Sequence, residues 1–267
     1  NPRDEQALYW IGVAHTTRAM YHLAVTRAYT TALGEAKEAR NYHAQVLSLN
    51  PGFMDALLIV GIYDYVVGSL PWYMKVLATI AGYRGNKERG LAAMQRVTRE
   101  GKLAKAEAQQ FLAIFCYREK RYLETRVVLQ EMAQAYPRNS IIPQEIARTY
   151  KAQGNWRLAA EAYEQLLARY HQGEPGYQNL SMSKVLYQAG EVYARMGDTA
   201  RALRLYEDAA QRDDNNIFVY RAVLAAGGVY QQQNRPEDAR RHFERVANAI
   251  PSTEEGRAAR RHLKQLR

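Results

Sequence analysis

The sequence predicts an all-α protein, a right-handed solenoid of helical hairpins. Three observations carry that expectation. Apolar residues recur at helical spacing, and strand-like alternation is almost absent from the 267 residues. Breaks built on Gly, Asp, Asn and Pro cut the chain into segments of helix length. One stretch, Leu186 to Asp214, joins both features in a form that recurs along the chain. Its first helix carries Leu186, Ala189, Gly190 and Tyr193. Met196-Gly197-Asp198 makes a break, and a second helix carries Ala202, Tyr206 and Ala209. Gly190 and Ala202 are small where the paired helices must approach. Tyr193 and Tyr206 are large where the gap must be filled.

This alternation resembles the tetratricopeptide repeat, a helix–turn–helix unit of about 34 residues. Residues 1–101 read as two divergent, elongated units of this kind. In the first, Leu8, Ile11, Gly12 and His15 take the first-helix spacing, and Ala39, His43, Val46 and Leu47 follow on a second helix that Asn50-Pro51 ends. In the second, Leu57, Val60, Gly61 and Asp64 open the unit, and Gly90, Met94 and Val97 close it. Between them lies an insertion, for which the sequence predicts a separate buried helix near residues 70–82. Ser69 is the expected N-cap, Pro71 stands in the first turn, and Trp72, Tyr73, Val76, Leu77 and Ile80 form an apolar face.

Residues 102–267 read as four cleaner units, at about 107–137, 141–171, 183–214 and 220–251, with a capping helix over 252–266. Cys116, Tyr150, Tyr193 and Tyr230 occupy equivalent places in the four. The step from Cys116 to Tyr150 is 34 residues. The step from Tyr150 to Tyr193 is 43, the surplus being the Gly/Pro-bearing stretch 171–180. Ser252-Thr-Glu-Glu255 fits a capping box opening the last, strongly basic helix. A polar-faced terminal helix is what a solenoid requires.

The run Gly61 to Leu91 carries a narrower resemblance. Gly61, Ser69, Leu70, Pro71, Gly82, Gly85, Gly90 and Leu91 look like the signature of the tetratricopeptide-repeat family numbered 39, which includes the yeast inclusion-body-clearance protein, and closer still its bacterial relatives. Tyr63 and Asp64 depart from the aromatic-Asn pair of the eukaryotic members. The resemblance implies an all-helical adaptor and brings no catalytic residues.

The single Cys116 excludes an intramolecular disulfide and a Cys-based zinc cage; its place among the tyrosines makes it a buried spacer. His15 and His22 share a helix face with no carboxylate at metal spacing. No strand precedes the glycines of 82–90, so they form no phosphate loop. No catalytic, cofactor or metal residues are expected, and no enzyme. The apolar region 56–83 is broken by Gly68, Ser69 and Pro71 and carries Asp64 and Lys75, which argues against a membrane span. The chain opens NPRDEQALYW without an initiator Met, so either a leader was removed or the chain begins inside a longer protein. The sequence leaves the compartment open: the cytoplasm is slightly favoured, and the bacterial periplasm is compatible with removal of a leader.

The net charge of +10 calls for anionic partners. First helices line the concave side of such solenoids. At inward spacing stand Tyr117, Arg118, Arg148, Lys151, Lys184, Tyr187, Arg195 and Arg221, with Glu107 and Glu191 as acidic exceptions. The expectation is a scaffold whose groove binds an extended acidic peptide or protein segment through these cations and tyrosines. Domains that clamp chaperone tails use a fixed Lys, Asn and Arg set. Here Gln110 with Ile114, Gln144 with Arg148, and Tyr187 with Glu191 stand in those places, so that set is absent. The alternatives are a nucleic-acid-binding solenoid, which the charge favours but the lack of interleaved aromatic platforms does not, and a regulatory domain of a larger protein or enzyme.

Overall fold

The computed structural model describes residues 3–213 and 216–266. Asp214, which closes the third expected unit, and the outermost residues of both chain ends lie outside the described residues. The described residues form fourteen α-helices, one 3-10 turn and no strand. They divide into two compact units, residues 1–132 and 133–267.

In the first unit, α1 (Glu5–Ala24) is opened by Asp4, whose carboxylate accepts the N–H groups of Gln6 and Ala7. It pairs with α2 (Tyr29–Leu49), and at their crossing Gly12 lies beneath the ring of the fully buried His43. A 3-10 turn, Met54–Ala56, leads into α3 (Leu57–Gly68). α4 (Trp72–Ile80) follows, then α5 (Lys87–Glu100), capped by Asn86, and α6 (Lys105–Arg118). α3 and α5 meet backbone to backbone: a Cβ on Gly90 would stand 2.5 Å from the Gly61 carbonyl oxygen. That contact is why both positions hold glycine. Beside it the buried Asp64 accepts two hydrogen bonds from Arg89, Nε at 2.5 Å and Nη2 at 2.8 Å.

The units do not part after residue 101, where the sequence suggested a boundary. Two interactions hold α6 to what precedes it. Asp55 Oδ1 accepts the backbone N–H groups of Lys102, Leu103 and Ala104, each at 2.9 Å. Tyr65 stacks on Phe115 with ring centroids 3.9 Å apart, and its hydroxyl donates to Glu119, which Lys87 also reaches. The division falls instead within α7 (Tyr122–Ala135).

The inserted segment is a helix, but it is not buried and Ser69 does not cap it. Ser69 ends α3, and Pro71 is the residue before the first turn of α4. No residue of α4 is buried. The apolar face read from the sequence points away from the core because α3 and α5 already fill their own interface with glycine contacts.

In the second unit, α8 (Ile141–Ala152) pairs with α9 (Trp156–His171), α10 (Met182–Arg195) with α11 (Thr199–Ala210), and α12 (Ile217–Gln232) with α13 (Pro236–Ala249). α14 (Glu254–Gln265) closes the series against α13. Its N-cap is Thr253, whose hydroxyl accepts the Gly256 N–H, not Ser252. A small residue on each first helix faces a ring sixteen positions later: Ala147 and Tyr163, Gly190 and Tyr206, Gly227 and Phe243. These rings are fully or almost fully buried and form the core.

The turns between paired helices share one construction. A residue with positive φ, Gly154, Gly197 or Asn234, ends the first helix. The next residue donates its N–H five positions back, to the carbonyl of Tyr150, Tyr193 or Tyr230. This is the 6→1 bond that closes a helix C-terminus. Asn155 and Asp198 then cap the second helix with their side chains.

Candidate peptide-binding face

The second unit brings its first helices together on one side. α10 meets α12 directly and α12 meets α14, in addition to the hairpin contacts. In a stack of helical pairs, the side on which successive first helices converge is the inner one. Tyr187 on α10, Arg221 on α12 and Glu255 on α14 lie half-buried along it, with Leu224, Gly228 and His262, around a shallow pocket of about 450 Å³.

The cations expected there are largely engaged. Lys151 Nζ meets Glu191 Oε2 at 2.5 Å, bridging α8 to α10. The Tyr187 hydroxyl donates to the other oxygen of Glu191 at 3.1 Å. Arg221 Nε donates to Glu255 Oε1 at 2.8 Å, bridging α12 to α14, while its guanidinium lies 5.1 Å from the Phe218 ring centroid. Arg148 pairs with Glu145 on its own helix at 3.0 Å. Arg195 is exposed and its guanidinium lies 6.0 Å from the Trp156 ring. Lys184 is half-buried near the start of α10. The inner face is therefore a ladder of alternating charges rather than a uniformly basic strip. The partnership of Arg221 and Glu255 was not legible in the sequence, where Glu255 reads as a helix-capping residue.

Two electrostatic consequences follow. Burial, and then the nearby Glu191 carboxylate, push the Tyr187 hydroxyl well above its ordinary pKa, so it is a neutral donor. The Arg221 guanidinium holds the Glu255 carboxyl below the usual range, so it stays ionised.

Tyr117 and Arg118 belong to the first unit. Tyr117 is half-buried with its ring edge-on to Tyr122 at 5.6 Å, and Arg118 is exposed at the end of α6. Cys116 is buried, and burial raises its thiol pKa to about 11, which leaves it protonated at neutral pH. His15 Nδ1 donates to the Glu35 carboxylate at 2.6 Å. No cluster of three His, Cys, Asp or Glu among the described residues is placed to hold a metal ion. No helix is long and apolar enough to cross a membrane, again among the described residues.

Models of the tetratricopeptide repeat match residues 139–215 and 193–263. The second unit carries tetratricopeptide repeats. The matches leave Gly61 to Leu91 outside, so they support the general repeat and not the narrower family suggested by that run. No curated protein matches the sequence. Among solved structures, the chain is similar to PilW, a widely conserved type IV pilus biogenesis factor, at 15% identity and a TM-score of 0.56, covering 92% of this chain and 97% of that one. It is similar to PilF of Pseudomonas aeruginosa at 15% identity and a TM-score of 0.53, over 98% and 100% of the two chains. YrrB, a tetratricopeptide-repeat protein with an unusual peptide-binding site, aligns at 15% identity and a TM-score of 0.50, over 82% and 97%. At these identities the likeness is one of fold: an all-helical, solenoid-type arrangement of hairpins. Tetratricopeptide repeats are typically non-catalytic and serve protein–protein interaction through extended concave surfaces.

Proposed function

We propose that this chain is a non-enzymatic interaction scaffold that holds an extended acidic peptide or protein segment along the inner face of its second unit. The observation that carries the reading is the convergence of α10, α12 and α14 around Tyr187 and Arg221, which leaves a shallow pocket where these two donors stand beside Glu254 and Glu255. Arg148, Lys184 and Arg195 supply the outer cations, and Lys151 and Arg221 the inner ones. A carboxylate of the ligand joins or replaces Glu191 and Glu255 as the partner of the inner pair. Tyr187 adds apolar contact that salt does not screen. Tyr117 and Arg118, in the first unit, are not required for this reading.

Charge-assisted contacts of this kind contribute about 1.5–3 kcal/mol when shielded and much less when exposed. Binding should therefore weaken with salt without vanishing. The test compares the wild type with an Arg148→Glu, Lys184→Glu double variant on an array of acidic peptides, after circular dichroism has shown equal helix content. At least a tenfold loss of binding is expected. Equal binding by both proteins would move the site off this face.

A further inference from the structure

The helix α4 has no place in the repeat pattern and no place in the core. Its nine residues, WYMKVLATI, are all exposed except the half-buried Ala78. Trp72 is 79% exposed and Ile80 80%, values unusual for large apolar side chains. At about 100° per residue, Trp72, Val76, Ile80, Tyr73, Leu77 and Met74 follow one another around an arc of roughly 200°. Ala78 and Thr79 border the arc, about 40° past Met74 and about 20° before Trp72, and Lys75 lies between them on the opposite side. The helix thus keeps only Ala78 half-buried, turns Lys75 and Thr79 to one side, and presents apolar surface over the rest of its circumference.

We propose that α4 is a membrane-surface anchor that inserts shallowly into the interface of a bilayer containing anionic lipids. A wide apolar arc suits a helix lying in the interfacial zone with its apolar face at the headgroup–acyl boundary, and the surrounding charge favours an anionic bilayer over a protein groove. Residues 65–86 contain Lys75 and Arg84 and no Asp or Glu, and Lys87, next in sequence, is paired with Glu119. Lys37 on α2 lies 5.0 Å from the centroid of Tyr83, just past the end of α4, and adds a third cation. Lys75 stands about 60° beyond Trp72, on the side away from the arc's centre, from which its long stem lets the ammonium reach the headgroups. Trp72 and Tyr73 at the start of the helix are the side chains that favour the same depth. Nine helical residues extend only about 14 Å, so the element lies on the bilayer and does not span it.

The test is flotation of the full chain with vesicles of phosphatidylcholine, with and without about a third phosphatidylglycerol. A chain of net charge +10 can adsorb to anionic vesicles by charge alone. The decisive variant is therefore Trp72→Ser, Leu77→Ser, Ile80→Ser, which keeps every charge and removes only exposed side chains. Unchanged thermal melting establishes that it folds. The wild type should float with anionic vesicles and bind neutral ones at least tenfold more weakly, and the triple variant should lose at least tenfold on anionic vesicles. Lys75→Glu should reduce the anionic preference without abolishing flotation. Equal flotation of wild type and triple variant would overturn the proposal, as would failure of the wild type to float. Light scattering showing a wild-type dimer that the triple variant converts to monomer, with no flotation of either, would assign the surface to self-association instead.

Discussion

Gly190 and Tyr206 touch where α10 crosses α11: a Cβ built on Gly190 would stand 2.5 Å from Tyr206 Cε1. Gly227 and Phe243 repeat the relationship at 2.7 Å, and Gly12 and His43 at 2.8 Å. Gly190→Ala should therefore overpack the crossing and cost about 1–3 kcal/mol in denaturant unfolding. Tyr206→Leu opens the same space at its own cost. The double variant should be less destabilised than the two losses added together, by about 1 kcal/mol. Strict additivity would show that the ring does not set the helix spacing.

His43 takes the place of the aromatic ring at the α1–α2 crossing, and this gives the first unit a pH dependence. Both ring nitrogens are buried with no hydrogen-bond partner among the described residues, and burial lowers the imidazole pKa to about 4. The unfolded chain binds the proton near pH 6.5 and the folded chain does not, so acid favours unfolding across that window. Stability should fall by about 3 kcal/mol between pH 7 and pH 4 from this group, and be insensitive to it above pH 7. His43→Phe keeps a ring against Gly12 and Tyr9 and removes the titration. The measurement is the difference in unfolding free energy between the two proteins at pH 7 and pH 4.5. Parallel curves would rule out a buried neutral imidazole.

The hairpins were legible because each is specified twice over, by apolar spacing and by a turn. The Met196-Gly197-Asp198 break became a left-handed glycine followed by a capping aspartate. The exposure of α4 was not legible. Its apolar residues fall at helical spacing whether or not another helix covers them, and only the Gly61–Gly90 contact shows that the space is already taken. The inner face was half legible. Periodicity placed Lys151, Glu191 and Arg221 on first helices, but pairing across helices depends on the rotation between successive hairpins, which no local pattern encodes.

The turn between α6 and α7 carries a replaceable cost. Lys120 adopts φ +61°, the conformation Gly154 and Gly197 take in the equivalent turns. A side chain there costs about 1 kcal/mol relative to glycine. The bond it must preserve, Arg121 N–H to the Cys116 carbonyl at 2.8 Å, is made by backbone alone. Lys120→Gly should raise stability by up to about 1 kcal/mol, read as a higher melting temperature with unchanged helix content. A loss of stability would show that the lysine stem, not the backbone, holds the turn.

Asp55 organises the chain between α5 and α6 through one oxygen atom. Oδ1 receives three N–H groups from residues 102–104, and the residue is buried. Asp55→Ala would leave those donors without their acceptor, costing about 2–4 kcal/mol. Asp55→Asn keeps one carbonyl oxygen and should cost less, because a neutral acceptor forms weaker bonds to the same donors. Hydrogen exchange should quicken first at Lys102, Leu103 and Ala104 in both variants. Unaltered protection there would contradict the capping role.

Glu191 is the residue through which the inner face can be tested most directly. Its two oxygens hold Lys151 and the Tyr187 hydroxyl. A ligand carboxylate approaching the same donors meets this charge as a repulsive neighbour and must share or displace it. Glu191→Gln removes the charge, frees the Lys151 ammonium, and leaves an amide of nearly the same shape against Tyr187. The Lys151–Glu191 pair is partly solvated, so the stability change should stay within about 1 kcal/mol. Affinity for an acidic peptide, measured by fluorescence anisotropy at low salt, should rise about threefold to tenfold, and the gain should shrink as salt screens it. Lys151→Met should lower affinity in the wild type and cancel the gain in the Glu191→Gln background. If Glu191→Gln leaves acidic-peptide binding unchanged while Arg148→Glu abolishes it, the ligand lies along the outer cations and does not reach the pocket beside Tyr187.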